Sequence, residues 1–228
     1  RSGKRFLTGL MIAVVLSSVN IVSATERTTV NENETLNIHE LLFENINYDG
    51  DGGVIENKGT ISVEESNFYN NSANDGGAIW NDGIVTEFEG NTFNNNTASQ
   101  LHVENIENAN TTITQYSGLG GAIYTNKDLT VDNSEFTENN AATGGGAIYN
   151  NYNIVDSNLT VKNSKFTNNT AKSVIETTTQ TTDRNGQPVT NTRTEILGVG
   201  GAIDTNGNLF VENSQFDGNL AGSSGGAI

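Results

Sequence analysis

Residues 120–148 read Gly-Gly-Ala-Ile-Tyr-Thr-Asn-Lys-Asp-Leu-Thr-Val-Asp-Asn-Ser-Glu-Phe-Thr-Glu-Asn-Asn-Ala-Ala-Thr-Gly-Gly-Gly-Ala-Ile, opening and closing on the same tetrapeptide. Gly-Gly-Ala-Ile recurs at 76–79, 120–123, 145–148, 200–203 and 225–228, with Gly-Gly-Val-Ile at 52–55. Between copies stands a second motif, Phe-x-x-Asn, at Phe68/Asn71, Phe93/Asn96, Phe136/Asn139, Phe166/Asn169 and Phe216/Asn219. Ile55 to Ile79 is 24 residues, while Ile123 to Ile148 and Ile203 to Ile228 are 25 each. Helix-pair repeats need roughly 33 residues or more, and these units show no 3.6-residue apolar pattern. Three short strands and three turns fit instead. That is one coil of a parallel β-helix, each strand pairing with its counterpart one coil on at about 4.8 Å. The fold class is therefore all-β, a solenoid with about 25 residues per coil.

Aligning the coils on their Phe gives the inward files. Seven residues before it stand Ile61, Thr86, Leu129, Leu159 and Leu209, and five before it Val63, Phe88, Val131, Val161 and Val211. A spacing of two puts both files on one face. Ser62, Glu87, Thr130, Thr160 and Phe210 between them are expected to face water. Five residues after each Phe comes Ala (Ala73, Ala98, Ala141, Ala171, Ala221), small enough for a tight corner. The Asn of Phe-x-x-Asn is expected at a left-handed corner, its amide bonding the Asn above and below. The triplets Asn95-Asn96-Thr97 and Asn168-Asn169-Thr170 also fit a glycosylation acceptor, but Asn is so abundant that they read as coincidence.

Two long intervals break the period, both between the Ala after Phe-x-x-Asn and the next Gly-Gly. The first insertion (about 99–118) has arms Leu101 to Ile106 and Thr111 to Tyr116; the second (about 172–198) has Thr-rich arms around Asp183-Arg184-Asn185-Gly186-Gln187-Pro188. Asn-Gly between β-branched runs signals a hairpin, so two β-hairpins are expected to leave one corner. Insertions in solenoids are either binding elements or tolerated length variation.

The net charge is −16, and would be −19 without residues 1–24, leaving eight Lys and Arg against 27 Asp and Glu. Phosphate backbones and anionic membrane surfaces would be repelled, so no nucleic acid partner is expected. With no Cys there are no disulfides or thiolate metal sites. Arg1, Lys4 and Arg5 precede a largely apolar Phe6 to Val22 and the small residues Val22-Ser23-Ala24. Residues 1–24 therefore read as a secretory signal peptide cleaved after Ala24, too short and polar for a membrane span. Residues 25–51 are expected to cap the solenoid as a degenerate half-coil, and 52–228 to form its repeats. Beginning on Arg and ending on Gly-Gly-Ala-Ile, the chain reads as a piece of a longer protein.

The alternation of Gly-Gly-Ala-Ile with Phe-x-x-Asn over about 52–228 resembles the polymorphic outer membrane proteins and the repeats of other bacterial and archaeal adhesin-like proteins. The resemblance implies a right-handed β-helix passenger of an autotransporter, exported by a signal peptide and displayed by a C-terminal outer-membrane barrel. Adhesion would be its activity, and no barrel segment lies within these residues.

Catalytic constellations are sparse. His39 and His102 have no triad-like surroundings and read as solvated. The outward file four residues before each Phe, Glu64, Glu89, Asp132, Lys162 and Glu212, would bring carboxylates about 5 Å apart, near the separation of a retaining glycosidase pair. Polysaccharide-cleaving β-helices add an Arg or Lys close to such acids, and only Lys162 is near this file, so the enzyme stands second to the adhesin, and a structural envelope solenoid third. Asp49-Gly50-Asp51-Gly52 lacks the closing Glu of a calcium loop and reads as an acidic turn. No cofactor or metal is expected. The residue after each repeat Ile gives the file Glu56, Trp80, Tyr124, Tyr149, Asp204. Trp80, Tyr124 and Tyr149 are expected to form a flat exposed stripe walled by the hairpins, suited to a glycan or protein on another cell.

Overall fold

A computed structural model describes residues 22–106, 109–151 and 157–228 of the chain, the side chains of Val22 and Ser23 excepted. The signal-peptide reading thus falls almost wholly outside the described residues. Coils stack through four parallel sheets of six, six, seven and five strands, and no α-helix occurs among the described residues. In one coil the strands are Ile123–Thr125, Leu129–Asp132, Glu135–Thr137 and Asn140–Ala141. The fold is a parallel β-helix, with a two-residue fourth strand at the Ala beyond the three expected.

The register confirms most of the alignment. Leu129 pairs with Leu159, Val131 with Val161, Phe93 with Phe136, Phe136 with Phe166, and Ile123 with Ile79 and Ile148. Side chains of these files fill the interior and are buried. Thr86 is a correction: Val85 pairs with Ile61, and a bulge carries Thr86 past the partner strand. The cause is length, since Ile84–Glu89 has six residues against five in Thr60–Glu64. Ser62, expected in water, is buried under its bond to Glu64 (2.8 Å), whereas Glu87, Thr130 and Phe210 are exposed.

The left-handed corner also lies one residue earlier than expected. Asn70, Asn95, Glu138 and Asn168 have φ of 54° to 55°, with Gly218 at 61°, and the motif Asn follows each. That Asn points inward instead. Asn96 shows the pattern: its Nδ2 donates to Asn139 Oδ1 (3.0 Å) and to the Phe68 carbonyl (2.9 Å), and its backbone N–H also donates to Asn139 Oδ1 (3.0 Å). The same amide ladder runs through Asn71, Asn96, Asn139, Asn169 and Asn219. Both amide protons and the oxygen are thereby satisfied inside the protein, which a buried polar group requires.

Two further corners carry polar files that the motifs did not announce. The backbone N–H groups of Ser66, Asn91, Ser134 and Ser164 donate to the side-chain oxygen of the equivalent residue one coil on. Asn57 donates to Asn81 (2.7 Å), and Asn81 to Thr125 (3.0 Å).

The glycine pair has two separate causes. Its first member adopts a left-handed φ, 58° at Gly76 and 66° at Gly120. The second meets the next coil: a Cβ on Gly121 would lie 2.0 Å from the Gly146 carbonyl oxygen, and one on Gly146 2.0 Å from that of Gly201. No side chain fits there.

Residues 25–51 form more than a half-coil. Thr28–Val30, Thr35–His39 and Leu41–Glu44 pair in register with three strands of the following coil, and Val22–Ala24 covers the outer edge of Leu41–Phe43.

Both insertions are antiparallel hairpins, Gln100–Ile106 with Thr111–Ser117 and Ser173–Thr182 with Pro188–Leu197. They also pair with each other, Thr111 to Thr114 lying against Thr179 to Glu176. The result is one four-stranded sheet projecting from the solenoid.

The Phe rings stack 4.5 to 5.0 Å apart from Phe43 to Phe216. Replacing Phe136, which is fully buried, by Ala is predicted to cost on the order of 3–5 kcal/mol in denaturant unfolding. Thr137→Ala, on the outer side of the same strand, is predicted to cost well under 1 kcal/mol, roughly the usual surface value; equal losses would refute the assigned facing.

Candidate ligand-binding face

The aromatic file is real and continuous. Trp80 pairs with Tyr124 and Tyr124 with Tyr149, their ring centroids 6.0 and 5.3 Å apart. Its exposure differs from expectation. Tyr124 and Tyr149 are each only 9% accessible, and Trp80 is half-buried. Stacking along the file covers the ring faces. The phenols are held by the next coil, Tyr124 accepting from Asn151 Nδ2 (2.8 Å) and Tyr149 from Asn206 Nδ2 (2.9 Å). Burial raises both phenol pKa values, so the hydroxyls stay protonated at neutral pH.

Trp80 therefore presents the most open aromatic surface of the three. Lys58 Nζ lies 6.0 Å from its ring centroid and also pairs with Glu56 (2.5 Å), which in turn binds Arg27 (2.5 Å). Arg27 sits over the Tyr48 ring at 3.9 Å. Burial alone would raise the Glu56 pKa, but hydrogen bonds from Lys58 and Arg27 outweigh it and hold Glu56 below the ordinary range. Beyond Lys58 opens a groove of about 730 Å³, lined by Thr60, Asp82, Ile84, Asn126, Lys127 and Asp128 among others. Ile84, 63% exposed, forms part of its wall beside the Thr86 bulge. The groove was not visible in the sequence because its lining comes from turns and strand starts of several successive coils.

A row of carboxylates borders the aromatic file at the Gly-Gly corner. Asp51 accepts the Asp75 amide and Asp75 accepts the Leu119 amide (2.8 Å). The Asp204 carboxylate lies against Gly144, where an added Cβ would stand 2.4 Å away. Gly118 and Gly198, where the hairpins rejoin the coils, stand six residues before Tyr124 and Asp204. The four-stranded sheet thus rises from the corner that leads into the aromatic file.

The carboxylate file on another face is in register as read, Glu64, Glu89, Asp132, Lys162 and Glu212 on successive coils. Glu87 joins it, its carboxyl bonded to Glu64 and held above the ordinary range by that contact. His39, Glu40 and Glu65 bring ligand atoms within 4.8 Å of one another, all on exposed side chains.

Residues 65–82, 92–126 and 133–151 match the Chlamydia polymorphic membrane protein repeat. These stretches are similar to that repeat. The proteins that carry that repeat form a family of surface membrane proteins. Comparison with curated proteins and with solved structures gave no match.

Burial holds Asp51, Asp75 and Asp204 above the ordinary carboxylate range. A folded-state pKa raised above the unfolded value contributes stability that is present below the unfolded pKa and is lost as pH rises through the folded one. Asp75→Asn keeps an oxygen for the Leu119 amide and removes the buried charge. It is predicted to melt higher than the parent at pH 7, the gap closing as pH falls to about 4, near the unfolded Asp pKa. A pH-independent gap would contradict the assignment.

Proposed function

We propose that this chain is the non-catalytic, surface-displayed passenger of an adhesin-like protein, exported by its leader. Its ligand is a glycan or protein on a host or neighbouring cell. The observation that supports this most is the joining of the two hairpins. Segments separated by more than two whole coils pair through Thr111 to Thr114 and Thr179 to Glu176, building one projecting sheet rather than two independent loops. It stands over the corner that leads to Trp80, Tyr124 and Tyr149. The ligand lies against Trp80 and the Lys58 side of the groove, with the two tyrosines setting the plane of the indole.

A polysaccharide-cleaving β-helix is the second reading, favoured by the Glu64–Glu87 contact beside Glu89 and Asp132. Lys162 is the cation of that file, in strand register with Asp132 on the neighbouring coil.

Excision distinguishes the projecting sheet from the coils. Joining Ser99 to Gly118 and Lys172 to Gly198 restores the spacing of the uninterrupted coil at Ala141 to Gly146. A chain lacking 100–117 and 173–197 is predicted to keep its parallel β-sheet circular dichroism and to lose cell or glycan-array binding. Trp80→Ala is predicted to weaken binding about tenfold or more, as expected for a central aromatic anchor. Undiminished binding by both folded variants would remove this face as the adhesive one.

A further inference from the structure

The projecting sheet has two edges, and they are not alike. Its order places Gln100–Ile106 at one edge and Pro188–Leu197 at the other. Proteins blunt open edges with Pro, Lys, bulges or charge, because unpaired N–H and C=O groups recruit further strands. The Pro188–Leu197 edge carries Pro188 and Arg193. The other edge, Gln-Leu-His-Val-Glu-Asn-Ile, has no Pro, Lys or Arg and Glu104 as its one carboxylate, pairs without a bulge along its whole length, and is exposed at every residue. Leu101 and Val103 are 52% and 56% accessible. The register puts Leu101 opposite Tyr116, and Tyr116 (43%) lies on the same face. An apolar strip therefore runs up to this edge.

We propose that Gln100–Ile106 pairs antiparallel with the same strand of a second copy, about a two-fold axis perpendicular to the sheet at Val103. The sequence is self-complementary in that register. Val103 meets Val103, Leu101 meets Asn105, and His102 faces Glu104 twice, once on each side of the axis. A perpendicular axis keeps the apolar strips of both copies on one side. The neighbouring symmetric registers, centred on His102 or Glu104, place His against His or Glu against Glu, and like groups directly opposite are unfavourable. Antiparallel pairing sets the base of one hairpin at the tip of the other, so the two solenoids leave from opposite ends of a joint roughly 20 Å long. The surface is isologous, as a two-fold dimer requires.

The test is a charge swap on the full chain, read by sedimentation equilibrium, with circular dichroism to confirm folding. The parent is expected to dimerise with increasing concentration. His102→Glu sets a new carboxylate against Glu104 of the second copy on both sides of the axis and is expected to weaken the dimer about tenfold, from two reversed cross-strand pairs. Glu104→Lys alone is expected to weaken it too. The double variant H102E/E104K rebuilds an opposed pair and is expected to dimerise at least as well as the parent. A monomeric parent would overturn the proposal. So would a dimer indifferent to the single changes, or a double variant that stays monomeric, since an edge built for a different partner gains nothing from the swap.

Discussion

Each coil from Phe68 onward depends on one buried amide. The Asn of each Phe-x-x-Asn motif spends both of its amide protons and both oxygen lone pairs inside the protein, on its neighbours in the ladder and on a Phe carbonyl. An unpaired amide at this depth would cost several kcal/mol by transfer estimates, of the order of 2–7. Each coil therefore has to present its Asn at the same corner and height. Once that is fixed, the rings of the preceding Phe residues fall 4.5 to 5.0 Å apart without further instruction. The Gly-Gly corner is tied in the same way, since the second glycine lies under the carbonyl of the next coil. Insertions consequently enter between these two fixed points, after the Ala and before the glycines.

Stability without cysteine follows from this arrangement. The chain has no disulfide to draw on and a large negative charge. Three corners carry side-chain files in which one coil's polar group satisfies the next, and the apolar files run beside them. Asn, Ser and Thr, which in most proteins signal loops, here form the interior of the turns.

Much of this was legible in the residues. The spacing of Ile55, Ile79, Ile123 and Ile148 fixed the coil length, and the Phe alignment placed Val63, Val131 and Val161 inward. The misplaced residues share a cause: they depend on local geometry that a period does not carry. Thr86 slipped because one extra residue in Ile84–Glu89 was absorbed as a bulge. The motif Asn was assigned the left-handed position of its predecessor, because Asn suits either role and only the hydrogen bonds separate them. The aromatic file was found from its place after Ile, yet the cover over Tyr124 and Tyr149 comes from Asn151 and Asn206 on later coils. Each hairpin was readable alone, but their pairing, which gives the projecting sheet its two unequal edges, is a contact between distant segments.

The amide ladder is tested most directly by native-state hydrogen exchange at the Asn139 backbone. That N–H donates to Asn169 Oδ1 (3.0 Å), a side chain one coil away, and not to any backbone carbonyl. In Asn169→Ala the Asn139 amide should lose its protection selectively, while backbone amides in the strands pairing Phe136 with Phe166 remain slow. Asn139 protection equal to the parent's, in a variant that remains folded, would contradict the ladder.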